Sequence, residues 1–143
     1  MLRKVTATFL CGSMLALLAG CTTLGSHAKD QARDETLAQY AATLRFGDFA
    51  SAWQFVDPKV RETHPLDAAA KRRYASIEVG AYQTDGPSAI DENTVQQIAQ
   101  ISLVVKSSQA SYDIVDHQVW KYDPANKRWW LESGLPDISP PSD

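Results

Sequence analysis

Apolar residues along the chain follow two periods, and the change between them divides it. From about Asp30 or Asp34 the helical period holds: Leu37, Tyr40, Ala41 and Leu44 fall at i, i+3, i+4 and i+7, with Gln39, Thr43 and Arg45 on the other side. Gly47 suits the position just past a helix end, and Asp48 suits the cap of the next. Phe49, Ala52, Trp53 and Val56 repeat the spacing, and Asp57-Pro58 ends that helix because proline disfavours helical backbone in the residue before it. A third helix is expected over about Leu66 to Arg73, its basic Lys71-Arg72-Arg73 matching a helix C-terminus.

From Tyr74 the period becomes two. Ile77, Val79 and Ala81 alternate with Ser76, Glu78, Gly80 and Tyr82, and Asp85-Gly86-Pro87 ends this first strand. Val95, Gln97, Ala99, Ile101, Leu103 and Val105 form the apolar-rich face of a long second strand, and Lys106 to Gln109 form a polar turn. A third strand covers about Ala110 to Tyr122. Asp123-Pro124-Ala125-Asn126 marks a hairpin, with Asn126 suited to the left-handed position, and Arg128 to Glu132 is the last strand. Gly134 and Pro136 stop it, and residues 138–143 read as an extended tail.

Helices followed by a four-strand antiparallel meander define an α+β class, with two or three N-terminal helices on one face of a curved sheet. Gly47-Asp48-Phe49-x-x-Ala52-Trp53, the following Asp57-Pro58 and the closing Arg128-Trp129-Trp130-Leu131 give residues 30–137 a resemblance to the cone-shaped nuclear-transport-factor-two-like superfamily, which includes the SnoaL-like proteins. A cystatin-like sheet wrapping one helix is the nearest competitor. The resemblance implies a pocket between helices and sheet, open at one end. It also implies homodimers through the outer sheet face, and in some members an Asp or Asp-His general base.

The N-terminus has a different pattern. Arg3 and Lys4 precede a run from Val5 to Ala19 that carries no charge and is shorter than the roughly 20 residues of a membrane-spanning helix. Leu18-Ala19-Gly20-Cys21 closes the run and resembles the lipobox of bacterial lipoproteins. That resemblance implies a signal peptide over residues 1–20, cleavage before Cys21, and lipid (diacylglycerol, often with a further acyl chain such as palmitate) on Cys21. One acyl chain gives marginal membrane binding, so two or three would be needed for stable anchoring without a spanning helix. Cys11 leaves with the signal. In the resembled lipoproteins aspartate after the cysteine is the usual inner-membrane signal, so with Thr22 there the resemblance implies the outer membrane, facing the periplasm. Residues 21–29 are small and polar and read as a tether.

Composition narrows the remainder. Loss of the signal removes two basic residues and no acidic ones, taking the formal charge from -3 to -5. A mildly acidic domain without a Lys/Arg cluster argues against nucleic acid as a partner. With Cys21 acylated, no disulfide or cysteine metal site is possible, so the fold rests on its apolar core. The four tryptophans, all after the signal, supply much of it.

Candidate chemistry lies on the third strand. If Tyr122 and Lys127 close the last hairpin, Trp120 faces Trp129 and Gln118 faces Leu131. One face then carries Tyr112, Ile114, Asp116, Gln118 and Trp120. Tyr112, Asp116, Gln118 and Trp120 are the candidate pocket residues, aromatic walls with one carboxylate and one amide, suited to a small amphipathic ligand. The bland alternative is core filling, and a one-residue register change would instead turn Val115, His117 and Val119 inward. Asp116 and His117 are adjacent, so on a strand they point apart and cannot act together. His27, His64 and His117 have no metal-ligand spacing, and no serine has a nucleophile context, so the sequence assigns no catalytic residue, metal or cofactor. Trp130 points opposite to Trp129 and is the candidate interface residue on the outer sheet face, either open to a partner or covered by Lys121 and Arg128. The reading that follows is a lipid-anchored, non-catalytic protein-binding or envelope assembly module. A small-molecule pocket protein, with enzymatic turnover as its extension, and a purely structural lipoprotein are the alternatives.

Overall fold

The computed structural model describes residues 21–140. The signal-peptide expectation, including Cys11 and Leu18-Ala19-Gly20, lies outside them, as do the last three residues of the tail. The element order is α1 (Cys21–Phe46), α2 (Phe49–Ala52), a 3-10 turn (Trp53–Phe55), α3 (Pro58–Thr63), α4 (Ala68–Ala75), then β1 (Ile77–Thr84), β2 (Ser88–Asp91), β3 (Thr94–Val105), β4 (Ser111–Asp123) and β5 (Arg128–Leu131). The sheet is antiparallel with order β1-β3-β4-β5, and β2 pairs with the same edge of β3 that β1 uses. This is the expected α+β arrangement of N-terminal helices on a curved meander, with one short strand added.

The core lies where the two periods meet. Leu37, Tyr40 and Leu44 of α1 are buried against Ala99, Ile101 and Leu103 of β3 and Trp120 of β4. Tyr40 meets Trp120 and Phe55 edge-on at 5.2 and 5.6 Å, a geometry that sets ring edges against ring faces. Three aspartates cap the short helices as their side-chain chemistry dictates. Asp48, Asp57 and Asp67 accept from the amides of Ser51, Lys59 and Ala70 at 2.6, 2.7 and 2.6 Å. Gly47 has no room for a side chain, since a Cβ there would lie 2.8 Å from the Thr43 carbonyl oxygen.

Several expectations are corrected. Residues 21–29 are helical and continue α1 rather than forming an irregular tether. Lys29 ties this stretch to the sheet: its ammonium donates to the Glu92 carbonyl and to Asn93 Oδ1, the latter at 2.8 Å, and lies over the Tyr122 and Trp129 rings. Trp129 Nε1 donates back to the Lys29 carbonyl at 3.1 Å. The second helix breaks after Ala52 into the 3-10 turn, and Val56 instead bridges to Leu131, covering the outer edge of β5. Asp57-Pro58 ends one helix and also starts α3, with proline in the first turn where it has no bond to lose. The last hairpin closes at Asp123 and Arg128, so Trp120 faces Leu131 and Tyr122 faces Trp129. Its left-handed residue is Lys127, not Asn126. The C-terminal stretch packs further than expected: Pro136 is buried and Ile138 rests on the core.

Candidate functional site

Tyr112, Ile114, Asp116, Gln118 and Trp120 do share the inner face of β4, opposite Leu103, Ile101, Ala99, Gln97 and Val95. The hairpin register differs from the expected one by two residues, which preserves that face. His117 is exposed on the other side of the strand.

Gln118 is the hub. Its Oε1 accepts from Gln97 Nε2 at 2.7 Å and from Trp120 Nε1 at 3.2 Å. Its Nε2 donates to the Tyr82 hydroxyl at 2.9 Å and to Asp116 Oδ2 at 2.7 Å. Tyr82 and Gln97 belong to this site, although the sequence singled out neither. A bulge between Val79 and Ala81 shifts the β1 register and turns Tyr82 inward, opposite Ile101. Tyr112 departs from the group, because its hydroxyl donates to the Ile138 carbonyl at 2.6 Å and thereby holds the C-terminal stretch.

Burial governs the electrostatics. Desolvation raises the Asp116 carboxyl above its ordinary range, against the opposing Gln118 hydrogen bond and the His117 charge. It also pushes the Tyr82 hydroxyl up to about 12, with Gln118 opposing and Asp116 adding to the rise. Tyr40 is raised by burial first and by the Asp116 charge second, and its buried hydroxyl has no hydrogen-bond partner among the described residues. The interior therefore holds a carboxyl that retains its proton more readily than a free one, beside two tyrosine hydroxyls that stay neutral. Such a set can donate to or accept from a ligand's polar atom.

A cleft of about 470 Å³ opens beside this cluster. Its helix wall is the α1 face of Asp34, Ala38, Ala41 and Arg45, and its sheet wall includes Tyr82 and Gln97. Tyr112, Asp116, Gln118 and Trp120 do not line it. The last three stand behind Gln97 and Tyr82 through the hydrogen bonds above. Gln97, only 5% exposed, connects the cleft to the network.

Trp130 lies on the outer face opposite Lys121, half-buried, with the Arg128 guanidinium 4.2 Å and that of Arg61 5.9 Å from its ring centroid. It lines a groove of about 440 Å³ with Lys59, Lys121 and Glu132. The expected contact residue thus has two cations beside its ring. More exposed apolar side chains on the outer face are Val115, 59% exposed, and Ile98, 39% exposed. Among the described residues no cluster of His, Cys, Asp and Glu could hold a metal, and no helix is long and apolar enough to cross a membrane.

No family model matches the chain, and no curated protein matches it. Among solved structures, a proposed SnoaL-like polyketide cyclase from Mesorhizobium loti aligns at a TM-score of 0.40 and 10% identity, covering 69% of this chain and 97% of that one. A likeness that distant transfers no residue role to this chain.

Proposed function

We propose that this is a membrane-anchored domain that binds a small amphipathic molecule in the cleft between α1 and the sheet. The observation that carries the reading is the cleft itself. Its largely apolar wall reaches a buried glutamine, and that glutamine opens onto a connected interior of amide, carboxyl and tyrosine groups. Apolar walls with a few fixed polar groups are what a small-ligand site requires. A ligand screen by thermal shift tests it. A hit at 100 times its dissociation constant should add about 2.7 kcal/mol, on the order of 10 °C for a domain of this size. Ala41→Trp, which fills the cleft from the helix side, should remove that shift while leaving the far-UV spectrum unchanged. A hit that stabilises this variant as much as the parent would overturn the reading.

The anchor belongs to the same proposal and rests on Leu18-Ala19-Gly20-Cys21. Lipid on Cys21 would hold the domain at the outer membrane, facing the periplasm. In cells fed a labelled fatty acid, Cys21→Ser should accumulate as unlabelled precursor. Normal labelling of this variant would exclude Cys21 as the lipid site.

A second reading, contact with a partner protein or a second copy through the outer sheet face, is favoured by the exposed Val115 and Ile98 rather than by Trp130.

A further inference from the structure

We propose that the cleft selects a monoanionic amphiphile, with Arg45 receiving its carboxylate-type head group. The inference rests on the cleft being a ligand site and adds the charge of the ligand and the residue that reads it. Two charged side chains line the cleft, Asp34 and Arg45. They lie on one face of α1 about three turns apart, roughly 16 Å along the axis, with Leu37, Ala38 and Ala41 between them. Their electrostatic states differ. The Asp34 carboxylate is already matched, since the Arg33 guanidinium sits 2.9 Å from it while also reaching Asp30 at 3.0 Å. Arg45 has no carboxylate within ion-pair distance among the described residues. Its guanidinium instead lies 5.1 Å from the centroid of the Phe46 ring. The cleft therefore presents one unmatched positive charge at one end.

The neighbouring groups fit the same ligand. Phe46 is 80% exposed, an unusual position for a phenyl ring, and it lines the cleft beside Arg45. An apolar ligand body would cover that ring and pack along Ala38 and Ala41. Gln97 and Tyr82 supply polar contacts on the sheet side. A guanidinium holds a carboxylate through two parallel hydrogen bonds, which an alcohol cannot reproduce and an ammonium would oppose.

The test uses the full chain in lipid nanodiscs, with heats from empty discs subtracted in isothermal titration. Three probes share one body: 4-phenylbutyrate, 4-phenylbutanol and 4-phenylbutylamine, at neutral pH. The parent protein should bind the carboxylate about tenfold more tightly than the alcohol, the factor expected of one charge-assisted pair, and the amine least. Arg45→Gln should bring carboxylate and alcohol to equal affinity, and Arg45→Lys should restore part of the difference. Ala41→Trp should abolish binding of both. Equal affinities in the parent, or a carboxylate preference that survives Arg45→Gln, would overturn the anion selectivity and leave the cleft standing. Binding of none of the three, or undiminished binding to Ala41→Trp, would overturn the cleft reading along with it.

Discussion

Gln118 shows how much of the interior one residue can organise. All four of its hydrogen-bonding positions are used, two accepting and two donating, so it holds Gln97, Trp120, Tyr82 and Asp116 in one arrangement. Replacing it with leucine should leave several of these groups unmet and cost about 2–4 kcal/mol, read as a lower urea midpoint at unchanged slope. Asp116 should act in the opposite sense. Burial raises its pKa, so the folded state binds its proton more tightly than the unfolded state does. Its contribution to stability is therefore fully present below the ordinary carboxylate range and is lost as pH rises through the folded-state pKa. Asp116→Asn keeps an acceptor for Gln118 and removes the buried charge. The variant should be more stable than the parent at neutral pH, by a margin that shrinks towards acid pH. A margin independent of pH would show that Asp116 is not desolvated. Gln118 and Asp116 were legible in the sequence as sharing one face with Ile114 and Trp120, because alternation along β4 groups them, while the register decided which face turned inward. Tyr82 was not, because one bulged residue in β1 reverses the parity that alternation assigns it.

At the level of elements, long periodic segments were readable and short ones were not. β3 and β4 carry enough alternating positions to set their facing, and even a two-residue hairpin error keeps the same side chains inside. β2 has four residues directly after Gly86-Pro87 and no buried member, so nothing in its pattern marks it. The start of α1 was concealed for another reason. Thr22 to Lys29 has no apolar stripe, and the contacts that tie it to the sheet include one lysine reaching a turn and two rings far along the chain. Lys29→Ala removes those contacts, worth on the order of 1 kcal/mol. Amides near Lys29 should then exchange with deuterium roughly fivefold faster than in the parent, while those in β3 and β4 stay protected. Unchanged exchange there would mean that helix propensity and the Trp129 indole hold the segment without the ammonium.

For the whole molecule, the sheet separates two surfaces that can be tested independently. Its inner face and α1 enclose the cleft and the Gln118 network, while its outer face presents Val115 and Ile98, with Val119 half-buried near them. Across β4 the side chains alternate, so a change at Val115 does not touch the cleft wall, and effects at the two places should add. Trp130 shares the outer face but is half-buried with Arg128 and Arg61 beside its ring, so its indole has less free area to give a partner. If the outer face holds a partner protein or a second copy, Val115→Glu should place a charge where apolar contact is needed. Crosslinking in whole cells, with a tag after Asp143, should show the adduct lost in Val115→Glu, weakened in Trp130→Ala, and intact in Ala41→Trp. Loss in Trp130→Ala with Val115→Glu unaffected would move the contact to the groove beside Lys121 and Glu132. No adduct in the parent would overturn the outer-face reading.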